Sequence, residues 1–145
     1  MAQISTPTSY YDNGVYDAAI MEAKMQNGGY ATFNADHILI GNTTASSSYS
    51  AFTTKSKIDI TPMSKLQFEV QGVSALYAIA EFGLFNVIDY NVAAVASVTI
   101  RSGNISRIVL ELDVSGYNGT YYIASNYATN HTGYSLKIYR ITPIY

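Results

Sequence analysis

Glu69, Glu81 and Glu111 are the acidic residues whose positions suit catalysis on a sheet. Glycoside hydrolysis needs two carboxylates roughly 5–10 Å apart in unequal environments. Glu69 and Glu111 fall in the polar phase of alternating runs, Leu66–Val70 and Arg107–Val114, which turns them to solvent. Glu81 interrupts Leu76–Phe85, a run apolar on both faces, so a hydrolase would require Glu81 and a second carboxylate in one cleft. Histidine is scarce: His37 and His131 are the two present, and no Gly-x-Ser-x-Gly elbow accompanies them. Ser–His–Asp chemistry therefore has no nucleophile signature. Asp12, Asn13 and Asp17 cluster as oxygen ligands for calcium would, but their spacing is unlike an EF-hand and Asx turns are the commoner use of such residues. The absence of Cys removes disulfides and thiolate metal sites. The expectation is a protein without enzymatic activity, cofactor or metal.

Tyrosine carries more information. There are 14 Tyr and no Trp in 145 residues. Tyr121, Tyr122 and Tyr139 fall in strand-like runs, where Tyr is favoured. Tyr10, Tyr11, Tyr16, Tyr49, Tyr90, Tyr127 and Tyr134 fall in predicted loops among Asn, Ser and Gly. Recognition loops use this mixture, because Tyr offers rigid amphipathic area while Ser, Asn and Gly adapt their hydrogen bonds. A neutral glycan suits such a surface, its C–H faces packing on rings and its hydroxyls meeting amides. Tyr-rich loops equally suit a neighbouring subunit. The residues assigned to ligand binding are Asn126, Tyr127, Asn130, His131 and Tyr134, with Tyr49 and Tyr90 secondary.

The elements that must position these loops are strands. Apolar residues make up 48% of the chain and charged residues 12%, which excludes an ordinary disordered segment. The net charge of −2 and the scatter of eight Lys and Arg, densest at Lys55, Lys57 and Lys65, argue against nucleic acid. Short runs recur at His37–Ile40, Tyr49–Thr54, Lys57–Ile60, Leu66–Val70, Leu76–Phe85, Val92–Arg101, Arg107–Val114, Tyr121–Ala124 and Ser135–Ile141. Turn sequences such as Asn13-Gly14 and Asn118-Gly119 separate them. Asp17–Gln26 is the one predicted helix, with Asp17 as N-cap, Ile20, Met21 and Met25 on one face, and Asn27-Gly28-Gly29 as its stop. Eight or nine strands without helix–strand alternation predict an all-β, antiparallel two-sheet sandwich, a jelly roll by its longer connections. One domain spans 1–145, with residues 1–10 an extended or flexible arm. No signal peptide and no membrane-spanning run is seen. Asn-x-Ser/Thr triplets begin at Asn42, Asn104, Asn118 and Asn130, as an Asn- and Thr-rich composition produces.

Two stretches carry a resemblance: Lys57-Ile58-Asp59-Ile60-Thr61-Pro62-Met63-Ser64-Lys65-Leu66, and the segment from Leu110-Glu111-Leu112-Asp113 through Tyr121-Tyr122-Ile123. With Tyr11-Asp12-Asn13-Gly14 and Leu136-Lys137-Ile138-Tyr139-Arg140-Ile141, the chain resembles β-sandwich modules of tail and other virion proteins from phages and prophages of Firmicutes. More distantly it resembles galactose-binding-like jelly rolls and carbohydrate-binding modules, which usually stack sugars on Trp. In these stretches Asp59 with Thr61, and Asp113 with Ser115, fit turns that satisfy loop amides. The resemblance implies a virion protein, assembled in the bacterial cytoplasm, that contacts a host-surface saccharide or neighbouring virion subunits, with a symmetric homo-oligomer, such as a trimer, among its partners. The next reading is a capsid decoration or fibre-joining protein with no small ligand. The third is a secreted carbohydrate-binding module or sandwich glycosidase.

Overall fold

Strict alternation of apolar and polar side chains builds one layer of the protein, and strands buried on both faces build the other. A computed structural model describes residues 7–43, 48–73, 79–89, 92–100, 105–129 and 135–145. In β7 (Lys65–Val73) Leu66, Phe68 and Val70 are fully buried while Gln67, Glu69 and Gln71 alternate with them outward. Its neighbour β10 (Arg107–Asp113) repeats the pattern, with Val109 turned to solvent and 58% exposed. The other strands are β1 (Tyr11–Asp12), β2 (Met21–Gln26), β3 (Gly29–Phe33), β4 (Ile38–Asn42), β5 (Ser48–Thr54), β6 (Ile58–Asp59), β8 (Ile79–Phe85), β9 (Ala96–Thr99), β11 (Thr120–Thr129) and β12 (Ser135–Ile144). No helix occurs among the described residues. None, therefore, is long and apolar enough to cross a membrane.

All pairings are antiparallel. Sheet I runs β10-β7-β12-β4-β3, with β1 added on β12; sheet II runs β2-β5-β11-β8-β9, with β6 added on β11. From β4 onward the chain crosses between sheets at nearly every step, which is the jelly-roll connection. The sandwich expected from the sequence is the observed fold. Phe52, Phe82, Leu84 and Ile123 of sheet II meet Ile38, Ile40, Leu66, Phe68 and Ile138 of sheet I in one buried core. Phe68 and Phe82 touch across the layers, ring centroids 5.7 Å apart.

A bulge lets β12 serve both ends of its sheet. Ile138 and Arg140 face consecutive residues of β7, Val70 and Glu69, so Tyr139 is the extra residue. Leu136 and Ile138 point inward before it and Ile141 after it, while Tyr139 and Arg140 both point out.

The predicted helix at 17–26 is corrected. Asp17 closes a turn, its carboxylate accepting the Ala19 N–H (2.8 Å) and its carbonyl those of Ile20 and Met21. Residues 21–26 then form edge strand β2 against β5. Met21-Glu22-Ala23-Lys24-Met25-Gln26 alternates with period two, and Met21 and Met25, four apart, fit either period. Asn27 and Gly28, both at positive φ (50° and 86°), make the two-residue turn that carries the chain into β3 and the other sheet. Strands β1 and β3 were not expected. Of the tyrosines expected in loops, Tyr10 and Tyr11 are buried in the core, so they anchor the segment leading into β1.

Candidate saccharide-binding face

Cross-strand register decides which side chains share a face. On the outward side of sheet II, one row crosses all five strands: Lys24, Ala51, Asn126, Glu81 and Thr99. The adjacent row is Glu22, Thr53, Ala124, Gly83 and Ser97. Gln26 and Tyr49 pair in the row beyond, and Tyr122 and Phe85 pair on the opposite side. At the usual strand spacing, Lys24 and Glu81 stand about 14 Å apart across this surface.

The middle of the face is filled. Tyr49, Ala51, Phe85 and Ala124 form a second apolar cluster, covered by Ile88 from the β8–β9 connection, with Tyr122 and Ala94 packed at its margin. Asn126 is 2% exposed and its Oδ1 accepts the Glu81 backbone N–H (3.2 Å), so it fixes the neighbouring strand where Glu81 emerges. Burial pushes the Tyr49 phenol up to about 12; the Asn126 amide pulls it back, and the Asp89 and Glu81 carboxylates raise it further. The Tyr49 hydroxyl is buried and has no hydrogen-bond partner among the described residues.

Around that filled centre stand groups with bonding capacity to spare. Lys24 is exposed, with its ammonium 5.9 Å from the centre of the half-buried Tyr122 ring. Neither Lys24, Glu22 nor Gln26 forms an ion pair or side-chain hydrogen bond among the described residues. Glu81 is half-buried, and its carboxylate accepts one long bond among the described residues, from the Ser97 hydroxyl (3.4 Å).

Sheet I presents a contrasting chemistry: apart from Lys137 of β12, the charges on its outward strand faces are engaged with neighbouring side chains. Arg107 Nε meets Glu69 at 2.7 Å, its guanidinium lies 3.6 Å from the Tyr139 ring centre, and it donates to Asn13. Arg140 bridges Glu69 (3.5 Å) and Asp12 (3.2 Å). Glu111 takes Lys65 (3.1 Å) and the Gln67 amide (2.8 Å). His37 is held between Asp36 (2.7 Å) and Asn34 (3.2 Å), with its ring 5.5 Å from that of Tyr139.

Glu69 and Glu111 therefore share the outward face of sheet I, each held by basic partners, while Glu81 lies on the other sheet, so neither of them shares a cleft with Glu81. Asp12 accepts from Asn13 and pairs with Arg140, while Asp17 caps its own turn, so both carboxylates are used locally. The turns expected at Asp59–Thr61 and Asp113–Ser115 are present (3.0 and 2.9 Å).

Of the residues assigned to binding from sequence, Asn126 and Tyr49 share the outward face of sheet II but are buried in strands, not displayed on loops. Tyr127 lies in β11 opposite Ser50 and Ala80. Tyr90, Asn130, His131 and Tyr134 lie outside the described residues. Sequence reasoning missed Glu22, Lys24, Gln26 and Tyr122 as surface groups. The alternation in 21–26 was the available signal for the first three.

No protein-family model and no curated protein matches the chain. Solved structures match it in fold, a β-sandwich, and carbohydrate binding modules are among them. One is a variant of a family 29 carbohydrate binding module, with TM-score 0.59 and 11% identity over 96% of this chain and 91% of that one. Two further variants of that module were solved with sugars. The one complexed with cellulohexaose has TM-score 0.57 and 9% identity over 94% of this chain and 88% of that one. The one complexed with mannohexaose has the same score and identity, over 94% and 89%. At these identities the likeness is one of fold.

Proposed function

We propose that this chain is a non-catalytic carbohydrate-binding module that takes a neutral glycan on the outward face of sheet II. Tyr122 supplies the packing surface for a sugar ring, and Lys24, Glu22, Gln26 and Glu81 hydrogen-bond its hydroxyls. Asn126 and Tyr49 act from beneath by holding β5, β8 and β11 in place. The observation that carries this reading is the contrast between the two faces: Lys65, Glu69, Arg107, Glu111 and Arg140 of sheet I are tied up in ion pairs, which leaves Lys137 alone there, whereas Lys24, Glu22 and Glu81 near Tyr122 form no ion pair among the described residues. Charged groups left with spare donors and acceptors are what a polyhydroxyl ligand uses.

Asn130, His131, Tyr134 and Tyr90, read from sequence as loop contacts, fall in the β11–β12 and β8–β9 connections and are proposed as rim contacts of the same ligand; Tyr127, in the register row of Ser50 and Ala80, falls in the opposite strand phase and is left out of the site. The virion role, with its homo-oligomer, rests on sequence resemblance alone. The similar folds are carbohydrate-binding modules, so the reading that stood third in the sequence becomes the first.

The test is titration of a panel of neutral oligosaccharides. Binding is expected to weaken about tenfold in Tyr122→Ala, the effect of roughly 1.4 kcal/mol, and comparably in Lys24→Ala. Lys65→Ala on sheet I should leave it unchanged. Equal losses from both faces, or a panel with no ligand, would overturn the proposal.

A further inference from the structure

Four segments border a pocket, partly open to solvent, at the margin of the core that the saccharide reading does not use. The turn after Asp17 is tied to the exit of β5 by the Lys55 N–H, which donates to the Ile20 carbonyl (2.7 Å). Strand β6 follows directly. On the far side the approach to β1 is pinned by the Tyr10 N–H on the Ile141 carbonyl (2.8 Å) and by the Tyr145 hydroxyl on the Pro7 carbonyl (2.8 Å). Between them lies a cavity of about 240 Å³ lined by Pro7, Tyr10, Ala19, Ile20, Lys55, Ser56 and Ile58.

Its chemistry is two-sided. Pro7, Tyr10, Ala19, Ile20 and Ile58 give apolar walls, and the Tyr10 hydroxyl is buried without a partner among the described residues, so water is shut out behind that wall. Burial, with the Tyr145 phenol adding to it, holds the Tyr10 phenol far above its ordinary value. The other side is cationic. Lys55 and Lys57 bracket Ser56, and neither lysine pairs with a carboxylate among the described residues. The volume exceeds the roughly 150 Å³ that admits benzene and falls below the roughly 300 Å³ at which drug-sized sites begin. Hydroxyl-rich sugars do not suit such walls, since each hydroxyl buried without a bond is costly.

We propose that this cavity binds a small amphiphilic anion, an apolar body the size of one aromatic ring or a medium-length acyl chain, seated against Tyr10, Ile20 and Ile58 with its carboxylate at Lys55 and Ser56. The site is separate from the saccharide face and stands or falls independently of it.

The test titrates 3-phenylpropionate, octanoate and uncharged octanamide into the full chain, followed by calorimetry and amide chemical shifts. Saturable one-to-one binding of at least one carboxylate is expected, about tenfold tighter than octanamide for a desolvated charge contact. The two carboxylates distinguish an aryl from an acyl body. Lys55→Gln should erase the preference for charge, and Ala19→Trp, which fills the cavity, should abolish binding; Ser56→Leu replaces it if that variant does not fold. Absence of saturable binding by both carboxylates at millimolar concentration, octanamide binding as tightly as octanoate, or undiminished binding in the filled variant would each overturn the proposal.

Discussion

Buried hydroxyls without partners tie the chemistry of single residues to measurable stability. Ser125 is fully buried on the inward side of β11, between Phe52 and Phe82, and its Oγ has no partner among the described residues. Leaving such a group unsatisfied costs about 1–3 kcal/mol. Ser125→Ala is therefore expected to raise the unfolding free energy by about 1 kcal/mol in a denaturant titration. A loss of that size would mean that the hydroxyl is bonded in solution. Tyr49 and Asn126 make the related point for function. Sequence could pick them out as recognition-type residues, because their types and neighbours suit sugars. Their burial depends on which strand phase they occupy and, for Tyr49, on a cluster that includes Ile88, 39 positions further on. That long-range packing has no local signature.

At the scale of elements, the core strands were legible because β7 and β10 alternate without interruption and need only a partner face. Strand β2 was not legible. Its two methionines satisfy helical and extended spacing alike, and Asp17 caps a turn as readily as a helix. The edge position of β2, set by pairing with β5, settled the matter. With β2 misread, three of the five surface groups in the candidate site, Glu22, Lys24 and Gln26, were lost. Where the chain turns from β2 at the edge of sheet II into β3 of sheet I, backbones come very close: a Cβ on Gly29 would lie 1.8 Å from the Tyr49 carbonyl oxygen. Gly29→Ala must push β3 off β5 and is expected to destabilise by about 1–3 kcal/mol, or more if the strands cannot part. Thermal melting checks this, and a melting temperature equal to that of the parent would refute the close approach. Phe82→Ala, which empties the contact with Phe68 between the sheets, should cost about 3–5 kcal/mol.

Across the whole molecule, charge sets a pH window. Hydrogen bonds from His37 to Asp36, Thr61 to Asp59, Ser115 to Asp113 and Gln67 with Lys65 to Glu111 hold these carboxyls below their ordinary values. A carboxyl depressed in the folded state stabilises it above the unfolded pKa and loses that contribution as pH falls through the folded one. The buried phenols act at the other end. Tyr11 and Tyr49 are pushed up to about 12 by burial, so their contribution holds below the ordinary phenol value of 10.0 and is lost as pH rises above it. Melting temperature should therefore stay level near neutrality, fall below about pH 4 and fall again above about pH 10. A spectroscopic tyrosine titration should find a buried fraction that ionises only with unfolding. Full titration of all 14 tyrosines near pH 10 in the folded protein would contradict the buried positions of Tyr10, Tyr11 and Tyr49.

The saccharide face is the central claim, and the most direct measurement is a map of amide chemical shifts as a neutral oligosaccharide is titrated to saturation. Perturbations concentrated in β2, β8 and β11, at and around Lys24, Glu81 and Tyr122, are the predicted result. Perturbations concentrated in β7, β10 and β12, or none with any glycan of the panel, would contradict it.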